Sequence, residues 1–171
     1  MTAIQLNENE YPLFFRNYIK HMGNVNLLAV LKTSFEDVTS TLKDLSEEKL
    51  HYRYQEGKWT IKELVQHIID AERVLSYRAL RFSRNDTTDL PGFDEDWYVD
   101  SSYGNERNFD TLLNEFFHLR ASNIAMFESF TPKTLQLKGT INGSDMSVRA
   151  LGFIIAGHQM HHLKIIKEKY L

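Results

Sequence analysis

The residues of this sequence best suited to chemistry are two histidines, His158 and His162. Steps of four, three, four and three residues lead from Leu151 through Ile155, His158 and His162 to Ile165, which is the spacing of one helical face. Both imidazoles therefore project from the core-facing side of a predicted helix, where their ring nitrogens can converge on one metal ion. On spacing alone, the alternative is a pair of hydrogen-bonded core histidines.

A third histidine, His67, lies at the edge of the apolar stripe of another predicted helix, beside Ala71 and Val74. Three inward imidazoles from two facing helices supply a neutral set of three nitrogens. Such a set leaves coordination positions open for water or substrate, as catalytic metal sites require. The sequence therefore predicts a divalent metal site at His67, His158 and His162. Because the chain has no cysteine, thiolate ligands and a catalytic cysteine are excluded.

Two familiar metal sites share parts of this pattern. His158-Gln159-x-x-His162 has the spacing of the zinc-protease helix, but Gln159 replaces the glutamate that serves as general base. An amide cannot perform that proton transfer, so the pattern argues against zinc-protease chemistry.

A di-iron carboxylate bundle requires two Glu-x-x-His motifs and two further inward glutamates. Glu48 with His51, and Glu115 with His118, match the motif formally. The first pair lies between predicted helices, and the second shares a polar face with Thr111. We therefore expect both pairs to be solvated and disfavour di-iron chemistry.

Four amphipathic segments must position the histidines. The first follows an Asn26 cap and carries apolar residues from Leu27 to Leu45, and the second begins at the Thr60 capping box and continues to Phe82. The third covers residues 109–130, and the fourth begins near Ser147 and continues to the end of the sequence. These segments predict an all-α four-helix bundle forming a single domain over residues 1–171.

Three smaller features accompany the bundle. A short, peripheral helical piece is predicted around Leu13 to Ile19, and an Asn-Gly turn within residues 138–143 predicts a small hairpin. The longest non-periodic stretch, Asn85 to Asn108, connects helices two and three and mixes acidic residues with aromatics. A connection of this length is usually functional or crosses over to a non-adjacent helix.

Composition excludes several classes of partner. The 171 residues carry 20 basic and 23 acidic side chains, a net charge of −3, which gives no basic footprint for nucleic acid or anionic lipid. The polar opening MTAIQLNENEYP does not resemble a signal peptide, and no apolar run approaches the roughly 18 residues of a membrane span. We therefore expect a cytoplasmic protein that binds neither nucleic acid nor membrane.

From Tyr11 to Leu171, an ordered set of blocks resembles the DinB-like superfamily of metal-binding four-helix bundles. The stretch of residues 57–63 leading to His67 resembles that family's second helix, and residues 90–96 resemble its following loop. Residues 147–151 leading to His158 and His162 resemble its last helix. The resemblance implies that the histidine of helix two and the first and last histidines of the final cluster bind the metal. By position these are His67, His158 and His162.

The resemblance also implies expectations about function. Family members bind nickel, zinc, iron or manganese, and we expect zinc or nickel first; members often form dimers and include transferases that join a low-molecular-weight thiol to an electrophile. We therefore expect a divalent-metal-dependent thiol S-transferase or hydrolase that acts on a small molecule, and a homodimer. Because the chain has no cysteine, a thiol must arrive as cosubstrate. The alternative is a noncatalytic metal-binding or stress-response protein.

Other polar residues give weaker signals. Asp70, one turn after His67, could orient an imidazole or be an ordinary exposed acid. Arg78, Arg81 and Arg84 could bind an anionic substrate, but cations near a helix C-terminus are favoured by the helix dipole in any case, so we prefer a structural interpretation. For Arg149 the sequence does not choose between these roles, and Trp59 is a candidate wall of the metal pocket.

Overall fold

The computed structural model describes every residue from Met1 to Leu171. Four long helices and three short ones account for most of the chain, with one two-stranded hairpin and several single 3₁₀ turns. The helices are α1 (Arg16–Lys20), α2 (Leu27–Leu42), α3 (Glu47–Leu50), α4 (Ile61–Ser83), α5 (Glu95–Ser101), α6 (Phe109–Glu128) and α7 (Val148–Ile165), which continues as a π-helical turn (Ile166–Tyr170). The strands are β1 (Lys138–Ile141) and β2 (Ser144–Ser147). The predicted all-α bundle is confirmed.

Side-chain caps fix where the four long helices begin. The Asn26 side chain accepts hydrogen bonds from two backbone amides of the first turn of α2. Thr60 and Glu63 form the predicted capping box, with the Glu63 amide donating to Thr60 Oγ1 at 3.1 Å. Asn108 and Ser147 cap α6 and α7 in the same way. Each cap satisfies amides that have no partner inside the helix. The first helix ends at Leu42 rather than reaching Leu45, and the short α3 follows.

The four long helices have an unusual arrangement. Both α2 and α4 pack against α6 and α7, so α2 and α4 occupy opposite corners of the bundle although they follow one another in the sequence. Helices α4 and α6, which the long connection joins, are neighbours. The chain therefore crosses the bundle diagonally between α2 and α4, and again between α6 and α7, which are not neighbours either. The long connection between α4 and α6 is not a crossover.

The connection from Asn85 to Asn108 is also more ordered than its lack of periodicity suggests. It contains α5, whose first turn is capped by Asp94 at 3.0 Å from the Trp97 amide and carries Glu95 and Asp96. Helix α5 packs on α4. Seven residues are too short for a periodic apolar pattern, so the sequence interpretation as a loop missed this helix.

The core is divided into two apolar halves. One half contains the start of α2, the end of α4 and the start of α7, and the other contains the opposite ends of the same helices. Between them, each long helix contributes buried polar side chains at the same level. These are Ser34, His67, Glu72, Arg120, Asn123, His158 and Gln159. Such a layer is costly unless its groups find partners, so its contents indicate where function lies.

Two peripheral units, the hairpin and α1, pack closely on the long helices. The hairpin pairs antiparallel with Lys138 opposite Ser147, and Gly139 lies so close to Phe82 that a Cβ there would be 2.0 Å from the ring. Helix α1 packs on α7 at Gly157, where a Cβ would come within 2.5 Å of the Tyr18 carbonyl oxygen.

None of the helices combines the length and apolar character that a bilayer crossing needs.

Candidate metal centre

The structure brings the three predicted histidines together. His67 Nε2 lies 3.0 Å from His158 Nε2, which in turn lies 3.0 Å from His162 Nε2. All three candidate ligand atoms lie within 4.8 Å of one another. Nitrogens that share one Zn²⁺ at about 2.0–2.1 Å are separated by roughly 3 Å, so two of the three separations match a common ion. His67 and His158 are buried, and His162 is partly exposed.

The imidazoles are held in the neutral form that metal binding requires. Burial lowers the pKa of His67 to about 4 and that of His162 to about 3, where nearby histidines contribute further. Burial, followed by the charges of the neighbouring histidines, lowers the pKa of His158 well below its ordinary value. At neutral pH each ring therefore offers one lone pair and one N–H.

Neutral imidazoles alone cannot satisfy this arrangement. In a neutral ring, His158 Nε2 carries either one hydrogen or one in-plane lone pair, so it can make one well-directed hydrogen bond and its contact with the second ring nitrogen stays unsatisfied. His162 Nδ1 is also buried without a hydrogen-bond partner. A cation that accepts a lone pair from each of the three Nε2 atoms satisfies these close contacts, so the residues present fit a divalent metal.

The centre opens onto a cavity of about 240 Å³ beside α7. His162 and Trp59 line it, and the Trp59 ring lies 4.8 Å from the His67 ring. Lys58 and Asp96 add a cation and a carboxylate to the same wall. The sequence had suggested Trp59 as a wall of the metal pocket, and the structure places it there.

On another face of α7, Gln159 belongs to a separate polar cluster. It is fully buried, accepts a hydrogen bond from Arg120 Nη2 at 2.6 Å, and donates to the Ser34 carbonyl. The amide therefore makes its hydrogen bonds away from His158 and His162. Its position supports the sequence argument against zinc-protease chemistry, because even a glutamate there would face away from the three histidines.

The partner of Gln159 is the best-satisfied group in the protein. Arg120 donates twice to Glu72, at 2.8 and 2.7 Å, and also to the Leu31 carbonyl and Ser34 Oγ. With the bond to Gln159, all five of its N–H groups have acceptors. Asn123 adds a third bond to Glu72 at 2.9 Å. We call these side chains, Ser34, Glu72, Arg120, Asn123 and Gln159, the arginine cluster.

Asp70 does not orient an imidazole. Its carboxylate accepts from Gln66 Nε2 at 3.0 Å, and it has no hydrogen bond to His67. Burial raises the pKa of Asp70 despite the opposing bond from Gln66. The sequence left two roles open for Asp70, as a partner of an imidazole or as an ordinary exposed acid. The structure supports neither, because Asp70 is partly buried and bonded to Gln66.

The formal di-iron motifs lie outside the centre. Glu115 pairs with Arg73 at 2.6 Å and with Arg107, and His118 hydrogen-bonds the Asn114 carbonyl at the surface. His51 is likewise exposed, and contacts the Glu47 and Asn105 carbonyls. Glu115 is therefore ion-paired, whereas the sequence had suggested a solvated side chain.

The four arginines considered from sequence have different environments. Arg81 pairs with Asp86, Arg84 is exposed, and Arg149 forms a buried ion pair with Glu10. These three fit the structural interpretation. Arg78 is buried, with a single hydrogen bond, to the Pro91 carbonyl.

Sequence reasoning missed Asp96 and Lys58 as residues beside the histidines. Both lie in sequence blocks that resemble the family, but neither block has an apolar periodicity that would indicate which way its side chains point. Asp96 lies in the first turn of α5, and this short helix, which the sequence did not predict, brings it to the cavity.

Comparison with known proteins supports the same picture. The family model of the DinB superfamily matches residues 30–166. A protein of Oceanobacillus iheyensis named "Putative metal-dependent hydrolase OB0413" is 28% identical over 148 residues, which cover 82% of this chain and 81% of the relative.

Two solved structures share the fold. YfiT from Bacillus subtilis, described as a probable metal-dependent hydrolase with an unusual four-helix bundle topology, superposes with a TM-score of 0.74 at 16% identity over 83% of this chain and 82% of its own. A mycothiol-dependent maleylpyruvate isomerase gives a TM-score of 0.64 at 13% identity, over 85% of this chain and 61% of its own.

Proposed function

This chain belongs to the DinB superfamily, and from that premise we propose that it is a divalent-metal-dependent hydrolase of a small molecule. The observation that carries the proposal is the convergence of three neutral imidazole nitrogens, with two separations of 3.0 Å, at a point where His162 lines a cavity. The name of the relative from Oceanobacillus iheyensis supports the reaction class. We assign the metal to His67, His158 and His162.

The chain's own residues divide the work around the proposed metal. A divalent ion bound there lowers the pKa of a water molecule and polarises a carbonyl oxygen. Trp59 packs on His67 and limits the movement of its ring, and Asp96, the one carboxylate that lines the cavity, is the candidate proton acceptor. Lys58, in the same wall, offers an N–H donor to an anionic oxygen of the substrate.

A thiol S-transferase is the second candidate. The specific observation in its favour is the structural similarity to a protein described as a mycothiol-dependent maleylpyruvate isomerase. Without cysteine in this chain, the thiol must enter the cavity as cosubstrate. Zinc or nickel as the metal, pairing into homodimers, a cytoplasmic location and a single domain over residues 1–171 also stay predictions.

The test is metal analysis followed by a substrate screen. Protein purified without a histidine tag should contain about one divalent ion per chain and hydrolyse a member of an ester and amide panel. We expect His158→Ala to lose both metal and turnover. His161→Ala is the matched control on the same helix and should retain both, since His161 is exposed.

Each outcome separates the candidates. Turnover only when a low-molecular-weight thiol is added favours the transferase. Stoichiometric metal without turnover across both screens favours a noncatalytic metal-binding protein. Absence of metal from the purified protein, and no uptake of zinc or nickel, overturns the proposal.

A further inference from the structure

Arg78 is unusual among the buried charges of this protein. Six acidic or basic side chains are buried, and five of them belong to ion pairs: Glu10 with Arg149, Glu72 with Arg120, and Lys62 with Glu47. Arg78 is 6% exposed and has no carboxylate partner. Because burying an unpaired charge is costly, an unpaired guanidinium requires another explanation.

The hydrogen bonds of Arg78 leave most of its donors free. Arg78 Nη2 donates to the Pro91 carbonyl at 2.7 Å, and this is its only hydrogen bond. A guanidinium carries five N–H groups arranged as a fork that matches a carboxylate. The guanidinium carbon also lies 5.9 Å from the Phe93 ring centre. The Pro91 carbonyl and the Phe93 ring therefore hold the guanidinium in place, and its remaining N–H groups are available to a ligand.

Arg78 lines a cavity of about 250 Å³. Phe15, Phe93 and Met146 give it apolar walls, and Asn142 adds an amide. Glu95 is its one carboxylate, and it forms no ion pair with Arg78. Burial, with the charges of Asp96 and Asp94, raises the pKa of Glu95. The cavity thus combines an unpaired cation with space for an apolar group.

The cavity lies on the same side of α4 as the histidine centre. Arg78 follows His67 by eleven residues, three turns, so the two side chains share a helix face about 16 Å apart along the axis. Helical side chains tilt toward the N-terminus, which directs Arg78 back toward the His67 end.

We propose that this cavity, which we call the Arg78 cavity, binds a small organic carboxylate, with the carboxylate on Arg78 and the apolar body against Phe93 and Phe15. Charge neutralisation replaces the missing acidic partner, and a bidentate contact uses the guanidinium fork. This site needs no metal, so it stands apart from the proposed hydrolase chemistry.

The test titrates phenylacetate and its neutral analogue phenylacetamide into the full-length protein, as purified and after chelation. Amide chemical shifts locate the probe by nuclear magnetic resonance, and calorimetry gives the dissociation constant. We expect shifts at Gly92, Phe93 and Asn142, equal in both samples. Phenylacetate should bind about tenfold more tightly than the amide, since a hydrogen bond to a charged group contributes on this scale.

Variants then test the guanidinium. Arg78→Met should weaken phenylacetate binding about tenfold while leaving phenylacetamide unchanged. Arg78→Lys should retain part of the preference. Arg84→Met is the matched control, because it removes a positive charge from the exposed end of the same helix.

Each of the following results overturns the proposal: equal binding of acid and amide, no shifts in the Arg78 cavity at millimolar probe, unchanged phenylacetate binding by a folded Arg78→Met variant, or tighter binding of inorganic phosphate than of phenylacetate at the same amides. If Arg78→Met fails to fold, the shift map of the wild-type protein still decides. Shifts that disappear on chelation place the probe at the histidines and also overturn the proposal.

Discussion

Two polar groups of residues occupy the layer that divides the core, and they differ in how well they are satisfied. In the arginine cluster every N–H of Arg120 has an acceptor, and Glu72 accepts three hydrogen bonds. In the histidine group the ring nitrogens face each other, and His162 Nδ1 has no partner. The first arrangement is complete without a ligand, whereas the second leaves ring nitrogens unsatisfied and fits the metal proposed above. Burial alone therefore does not identify a functional site, but the unpaired donors and acceptors do.

The largest expected effect on stability comes from removing the guanidinium of the arginine cluster. Arg120→Met leaves Glu72 buried without a cation and should lower the free energy of unfolding by about 3–5 kcal/mol. Urea denaturation in the presence of chelator measures this without a contribution from metal. The double variant Glu72→Gln with Arg120→Met removes both charges and should be less destabilised than the single variant. A single variant within about 1 kcal/mol of wild type contradicts the structural role of the cluster.

A second paired charge extends the comparison to pH. Burial would raise the pKa of Glu10, but hydrogen bonds from Arg149, the Asn7 amide and Ser147 outweigh it and lower the pKa to about 2. A carboxyl with a depressed folded-state pKa stabilises the fold above its unfolded pKa of about 4.5, and this stability is lost as pH falls toward 2.

The expected loss is about 3 kcal/mol across that interval, from the linkage of pKa to stability. Unfolding free energies between pH 6 and 2 should therefore decrease more steeply for wild type than for Glu10→Gln, which has no carboxyl to titrate there. Parallel curves for the two proteins contradict the assignment. The exposed Glu8→Gln is the matched control and should follow wild type.

Metal removal tests the unsatisfied group. A ligand bound only by the native state stabilises it by about 2.7 kcal/mol at a hundredfold excess over its dissociation constant, so chelation should lower the melting temperature of wild type. His158→Ala should show no chelator effect, and His161→Ala should keep it. Equal chelator effects in the two variants place the ion elsewhere.

The smallest expected effect separates the two groups on a single helix. Gln159→Glu creates the sequence pattern of a zinc-protease helix, but the carboxylate replaces an amide that donates to the Ser34 carbonyl. We expect the free energy of unfolding to fall by about 2 kcal/mol, because the buried cluster loses this hydrogen bond and gains a second negative charge beside Arg120. Metal content should be unchanged, and hydrolysis should not increase. A gain in hydrolysis contradicts the orientation of residue 159.

The sequence predicted the parts of the protein that have a repeating signal. Apolar spacing and the caps at Asn26, Thr60 and Ser147 located the long helices, and the same spacing placed His158 and His162 on the core side. It missed α5, which is too short for a period, and so missed Asp96 beside the cavity.

Pairing across the bundle was also out of reach from sequence. Glu72 and Arg120 are separated by 48 residues, and nothing local indicates that they meet. For the arginines, the sequence left two roles open, a structural one and the binding of an anion. The three-dimensional structure distinguishes them by showing whether an acidic partner is present, and Arg78 has none. These features depend on which helices are neighbours, and spacing along one helix does not contain that information.

The diagonal placement of α2 and α4 has a consequence for how the chain reaches its native state. A hairpin of these two helices cannot form first, because their apolar faces meet only through α6 and α7. Helix α7 must pack before either half of the core is complete, so the essential contacts join parts of the chain that are distant in sequence. Folding rates fall as such sequence separation grows, and exposed apolar faces promote aggregation meanwhile. During synthesis on the ribosome, the apolar faces of α2 and α4 therefore lack part of their native cover until α7 has emerged.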